Sequence, residues 1–308
     1  MSTLLLSYPG DDFRPEGTDE SAAAPRQALA EWLALCDHIH RAGGRILVLD
    51  PPTGPAAGQT PSVYAGRLGA VFNSPGKLSR PTFLRAHAAG APSEAVADDA
   101  ACRLLGEAGL DVRVARAPWQ GQVDLITLER NRFLICHGGA SPSSRQAADE
   151  LRAMLPMAAQ VLEVELAPGV QRGVQAVQHI AGAGGAVLLC HRAALRSHTP
   201  EQLGRFAGSH VEVLGLGEED IAARASECLV VRGHALMAPG SSTILRGQLA
   251  RRGFQIVEVE LVHLTGPSGG GPRELALDLT GLVLAEDSPS YANRRGELVQ
   301  RLDRYAAS

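Results

Sequence analysis

The feature that most restricts how this 308-residue chain can fold is an internal repeat. Three apolar runs, Arg132-Phe133-Leu134-Ile135-Cys136-His137, Gly185-Ala186-Val187-Leu188-Leu189-Cys190-His191 and Gly233-His234-Ala235-Leu236-Met237-Ala238-Pro239, each read as a short buried strand. A helix-like segment with a Ser or Thr near its start follows each run, over residues 143–154, 199–206 and 241–252. Ser144 and Thr199 suit N-cap positions, and Pro200 suits the first helical position. A second strand closes each unit, over residues 161–166, 210–214 and 255–261, with apolar residues alternating with Glu as on a strand with one wetter face. Val161 and Val211 lie 50 positions apart, and Val211 and Ile256 lie 45 apart. That period is too long for an ordinary solenoid and suits a strand–strand–helix–strand unit used several times.

The first part of the chain follows the same plan. Strands are expected at 3–7, 45–49, 69–73 and 111–114, and helices at 26–41 and 95–108, ended by Gly43-Gly44 and Gly109. Residues 51–61, rich in Gly and Pro, read as a loop, and no break in composition marks a domain boundary. The expectation is therefore one α/β domain over residues 1–308, built of about five modules in sequence. No GxGxxG or Walker loop is present. Gly182-Ala183-Gly184-Gly185 precedes a strand and reads as a tight turn.

Composition removes several function classes. At 45% hydrophobic, the chain has material for a large core, which excludes a disordered tail protein. A net charge of −4 gives no basic field for nucleic acid. Lys77 is the only lysine, so no other lysine is available as a nucleophile. No segment reaches about 20 consecutive apolar residues, so no membrane span is expected. The first residues run quickly into Asp11-Asp12 without the basic start of a signal peptide. Cys36, Cys102, Cys136, Cys190 and Cys228 are scattered and lack a CxxC pair, as expected of reduced thiols in the cytosol. Cys36, His38 and His40 share a helix but supply too few ligands for a zinc site, so a helix surface is the expected setting. His137 and His191, at equivalent ends of two runs, either line an axis or cap their strands, with capping favoured. His234 is expected to be exposed.

Five motifs, in order along nearly the whole chain, resemble the guanidine-modifying enzymes of the pentein superfamily, especially the amidinotransferases and dimethylarginine dimethylaminohydrolases. Phe13-Arg14-Pro15-Glu16 lies near the start, and residues 28–49 resemble the first helix and strand. Tyr64-Ala65-Gly66-Arg67-Leu68-Gly69 resembles the Y/F-T-A-N-x-G strand, and Trp119-Gln120-Gly121-Gln122-Val123-Asp124 the F-E-G-x-x-D turn. Gly269-Gly270-Gly271-Pro272-Arg273-Glu274 resembles the C-terminal G-G-G-x-[HR]-C loop. The resemblance implies a pseudo-symmetric five-bladed α/β propeller with its site at the central axis. It also implies a cysteine thiolate attacking a guanidinium carbon, a histidine moving protons, and carboxylates gripping the cation.

At the positions that match those roles, this sequence carries other residues. Gln120 stands for the acidic residue, Arg67 for the Asn or Asp, and Glu274 for the cysteine; no cysteine follows Cys228. Val170-Gln171-Arg172-Gly173-Val174 best matches F-x-H-L-D and puts Arg172 at the histidine, with His179 as the alternative in another register. Losing several members of a concerted set argues against the family reaction. The expectation is a catalytically degenerate homologue that acts as a ligand-binding, scaffold or regulatory protein. The alternative is a pentein enzyme with non-cysteine chemistry on an arginine-like or anionic small molecule. A third reading, an active C–N hydrolase or amidinotransferase, requires a cysteine–histidine pair in space. Arg67, Asp124, Arg172, Arg273 and Glu274 are the candidate ligand-binding residues, with Arg273 placed to neutralise Glu274. Glu274 and Asp278 are expected on a strand, either facing solvent or in the charged cluster, and Gln120 and Asp124 serve as turn residues or ligands. The ligand expected is a small anion or an amino acid, with a protein partner or a homodimer left open, and neither cofactor nor metal is expected.

Overall fold

A strand with apolar residues on both faces needs packing partners on both sides, and this requirement organises the whole molecule. The computed structural model describes residues 2–10, 13, 24–50, 63–72, 80–87, 92–128, 131–266, 269–282 and 290–307. Its strands are β1 (Thr3–Ser7), β2 (Arg45–Leu49), β3 (Gly69–Phe72), β4 (Thr82–Arg85), β5 (Asp111–Val114), β6 (Leu125–Thr127), β7 (Arg132–Gly138), β8 (Gln160–Leu166), β9 (Val177–Gly182), β10 (Gly185–Cys190), β11 (Val211–Gly215), β12 (Leu229–Val231), β13 (His234–Met237), β14 (Gln255–Glu258) and β15 (Ala276–Asp278). The helices are α1 (Ala24–Arg41), α2 (Pro92–Glu107), α3 (Arg145–Met154), α4 (Gly173–Ala176), α5 (Pro200–Ala207), α6 (Glu218–Ala222), α7 (Thr243–Arg251), α8 (Val262–Thr265), α9 (Pro272–Leu275) and α10 (Tyr291–Ala307).

The strands form five three-stranded sheets, ordered β15-β1-β2, β3-β4-β5, β6-β7-β8, β9-β10-β11 and β12-β13-β14. In each, the middle strand runs antiparallel to the first strand named and parallel to the last. The parallel partner is reached through a helical crossover, which is what the strand–helix–strand pattern of the sequence requires. Alternate residues of the middle strands enter different cores. Leu4 and Leu6 pack towards β12 and β13, whereas Leu5 packs towards Phe83 of β4. Three further clusters join the second sheet to the third, the third to the fourth and the fourth to the fifth. The interfaces therefore close a ring, with the two ends of the chain meeting in one blade through the antiparallel register Leu5↔Leu277.

The repeat read from the sequence is the blade, and the strands and helices expected from it lie within a few residues of expectation, whereas β4, β6, β9, β12 and α10 had no counterpart in that reading. Two details differ. The strand expected at 255–261 ends at Glu258, because Leu261 turns into α8. Glu274 was expected on a strand but sits in the short helix α9, with Pro272 at its first turn, and β15 begins only at Ala276. Gly185 pairs with Gly182, so the glycine cluster there is a two-residue hairpin. The Gly/Pro-rich segment 51–61 and the motif residues Arg14, Pro15 and Glu16, with Asp11, Asp12, Asn73 and Lys77, lie outside the described residues.

Candidate functional site at the axis

The strands β3, β6, β9, β12 and β15, one from each sheet, surround the central axis and together line one cavity. A charged residue precedes each: Asp124 by one residue, Arg67, Glu227 and Glu274 by two, and Arg172 by five, with α4 between it and β9. Four of these charges meet at one end of the axis. Glu274 has no solvent exposure. Its Oε2 accepts from Arg67 Nε at 2.8 Å and Nη2 at 2.6 Å, and its Oε1 accepts from Arg172 Nη1 at 2.5 Å. Glu227, 1% exposed, completes the cluster.

The surroundings set these groups in place. Gly270 can be nothing larger, since a Cβ there would overlap the Glu274 carboxyl group. Arg67 lies with its guanidinium carbon 3.7 Å from the centre of the Tyr64 ring, and Tyr64 donates its hydroxyl to the Thr265 carbonyl at 3.0 Å. Arg172 also donates to Gln171 Oε1 at 3.2 Å. Asp124 acts one step back. Its Oδ1 accepts from the Gly173 amide at 2.6 Å, beside Arg172, while its Oδ2 accepts from Ser141 at 2.8 Å and Ser143 at 2.5 Å. Asp124 thus fixes the backbone that carries Arg172.

The two glutamates titrate in opposite directions. Burial opposes ionisation of Glu274, but the flanking Arg67 and Arg172 override it and hold that carboxyl below its ordinary range. Burial, and then the charge on Glu274, push Glu227 up to about 8. Near neutrality Glu227 is therefore protonated and hydrogen-bonds the ionised Glu274, while its Oε2 accepts from the Gly271 amide. Two guanidinium groups thus face one carboxyl held ionised and one held towards its neutral form, so the balance of the cluster is positive. Burial raises Asp124 against the hydrogen bonds that favour its ionised form.

Arg67, Arg172 and Glu274 are thus in direct contact, and Asp124 touches the loop behind them. Of the two settings expected for Glu274, solvent and the charged cluster, the first is corrected: the glycine loop folds over it. Arg273 does not neutralise it either. The helical turn carries Arg273 to the opposite side, where it lines the axial cavity. Gln120 donates its backbone N–H to Ser143 Oγ at 3.2 Å, and its side-chain Oε1 is buried with no hydrogen-bond partner among the described residues. His179 lines the axial cavity rather than joining the glutamates. His137 lies 3.7 Å from Glu163 on the outer strand, away from the axis. His234 is half-buried rather than exposed. Glu227 was missed by sequence reasoning. The signal for it was the repeat itself, since Arg67, Glu227 and Glu274 each stand two residues before an inner strand.

The cysteines are elsewhere. Burial pushes the thiols of Cys36 and Cys136 well up, that of Cys190 to about 11 and that of Cys228 to about 12, and the charged side chains acting on them are Asp37, Asp124, Glu201, Arg192 and Arg273. No histidine is among them. Cys136 lies behind the Arg172 loop, where a Cβ on Gly173 would come within 2.7 Å of its sulfur. Among the described residues no group of three His, Cys, Asp or Glu side chains is placed to hold a metal ion.

No protein-family model matches the sequence. No curated protein matches it either. Solved structures are similar in fold. A variant of the N-terminal domain of ArgZ, covalently bound to a reaction intermediate, superposes with a TM-score of 0.72 at 16% identity over 92% of this chain and 100% of that one. ArgZ is described as an arginine dihydrolase of the ornithine–ammonia cycle in cyanobacteria. A cysteine-to-alanine variant of AgrE with L-arginine gives 0.73 at 17% identity, over 94% of this chain and 42% of that one. A dimethylarginine dimethylaminohydrolase adduct with 4-chloro-2-hydroxymethylpyridine gives 0.63 at 16% identity, over 90% and 99%. The chain has the five-bladed α/β propeller that these structures share, the pentein fold. It spans the whole N-terminal domain of ArgZ but about 40% of the longer ArgZ chain.

Proposed function

We propose that this chain is a single-domain pentein that has given up thiol chemistry on guanidinium groups and serves as a binding protein for a small anionic or amino-acid ligand. The observation that carries this reading is the Glu274 cluster. At the position matched to the family's nucleophile stands a buried carboxylate, already neutralised by two guanidinium groups of the same chain. A carboxylate held by two such ion pairs is a poor nucleophile, and a cationic substrate would meet Arg67 and Arg172 where it needs anions. The positive balance of the cluster, with the Arg67 side chain 20% exposed, instead favours an anion at the open side. A scaffold or regulatory role would use the same ligand as its signal, in the reducing cytosol that free thiols suit.

Purified protein incubated with arginine, methylarginines or agmatine is expected to release no citrulline, ornithine, ammonia or amine. Acetate, phosphate, glutamate and arginine would be compared by thermal shift, with stabilisation by the anions expected in the wild type and lost in Arg67→Gln. Turnover that disappears on replacing one cysteine would overturn the reading.

A specific observation favours one second reading, an enzyme with non-cysteine chemistry. A neutral carboxyl beside an ionised one is the arrangement of an acid–base pair, and Glu227 loses its proton at about 8. Conversion of any ligand found above, with a pH profile that Glu227→Gln abolishes, would select this reading.

A further inference from the structure

The inner strands frame a second space at the ends remote from Glu274: a cavity of about 960 Å³, within the usual range for small-molecule sites. Its wall towards Glu274 is a tight layer. Gln122 has both ends of its amide committed there, donating to the Ala276 carbonyl and accepting from the Asp278 amide at 3.1 Å. A Cβ on Gly66 would lie 2.8 Å from the carbonyl oxygens of both Arg273 and Glu274. The cavity is therefore separate from the cluster described above.

The charge inside it is unusual. Arg273 is half-buried, and the burial it has disfavours its positive charge, while its buried Nε finds no hydrogen-bond partner among the described residues. A buried, unsatisfied guanidinium N–H is costly unless something pairs with it. Asp278 supports the Arg273 charge through space, but its own Oδ1 accepts from the Thr280 amide at 2.8 Å. Gln178 and His179 face the same space, and Arg232 stands at its rim. Phe72, Phe133 and Ile180 give it an apolar part.

We propose that this cavity is a second binding site, for a molecule carrying a carboxylate and an amine such as a free amino acid or a short peptide. The carboxylate pairs with Arg273, and the amine faces Asp278. The cavity's apolar part receives the side chain. This site does not depend on the reading of the Glu274 cluster.

Titration calorimetry on the full chain tests the assignment, with acetate, inorganic phosphate, leucine and the dipeptide Gly-Leu as probes. Leucine or Gly-Leu is expected to bind more tightly than acetate. Arg273→Gln should weaken that binding by about tenfold or more, as loss of a charge-assisted pair does. Asp278→Asn should bring the zwitterions down to the level of acetate, and it provides the decisive comparison if Arg273→Gln does not fold. Thr199→Ala, in the helix cap of α5 away from the cavity, should leave all of this unchanged. Absence of binding in the wild type, equal affinity for acetate and leucine, or binding lost with Arg67→Gln but kept with Asp278→Asn would each overturn the proposal.

Discussion

Glu227 and Glu274 show how neighbours, rather than residue type, decide what a carboxyl group does. The protonated state of Glu227 is part of the fold, so folding takes up a proton between its ordinary value near 4.5 and the folded value of about 8. A carboxyl raised in this way stabilises the fold less as pH rises through that window, by at most about 1.4 kcal/mol per pH unit, and not further above it. Urea midpoints are therefore expected to fall between pH 5.5 and pH 8, and Glu227→Gln, which keeps a donor towards Glu274, should flatten the profile. A wild-type profile already flat across that range would contradict the assignment. Glu274 has the opposite sign: its lowered value contributes stability above its ordinary range, lost only in acid. Arg172 matters for a related reason. Removing one partner of a buried ion pair typically costs about 3–5 kcal/mol, because a charge is left in the interior. Arg172→Met should lower the urea midpoint accordingly, and adding Glu274→Gln should recover part of the loss, since Arg67 keeps contact with solvent. Recovery of nothing would mean that Arg172 acts through packing alone.

The elements were unequally legible, and the difference has a physical origin. Middle and outer strands such as β7, β8 and β10 are six or seven residues long and carry apolar runs or Glu alternation, so their pattern stands clear of the background. The inner strands β6, β12 and β15 have three residues each, too few for any period to show. They also start next to buried charges, which a search for apolar runs passes over. That is why Arg67, Arg172 and Glu274 were found through motif resemblance, while Glu227, with no motif of its own, was not. The helix starts were legible because capping is local chemistry. Thr199 Oγ1 accepts from the Gln202 amide at 3.3 Å, and Gln202 Oε1 accepts from the Thr199 amide at 2.8 Å, so the pair caps α5 reciprocally. Thr199→Ala should cost about 1 kcal/mol, read as a lower denaturant midpoint with unchanged slope. α5 packs on β11 far from the axis, so ligand affinity should not follow.

At the scale of the molecule, closure of the ring determines how stability and site are linked. Every core cluster is shared by two neighbouring blades, and the charged residues at the axis are supplied one from each of four blades, with Asp124 behind them from the remaining one. No blade can open without exposing two interfaces and removing a member of the site. The blade that joins the chain's ends is the critical one: β1 is the middle strand between β15 and β2, and Leu4, Leu5 and Leu6 are each 2% exposed or less. Substituting Leu5 by Ala removes contacts from the interface of the first and second blades and opens a cavity, at a cost of about 2–5 kcal/mol. Because β15 follows Glu274 directly and pairs with β1, this loss is transmitted to the glycine loop rather than confined to the outer sheet. Amide exchange around Gly270 and Glu274 should therefore quicken together with exchange in β1 and β15, in a single cooperative opening. If exchange rises in β1 while the 269–275 segment keeps its wild-type protection, the blades are independent, and the ring is closed by contact without sharing its stability.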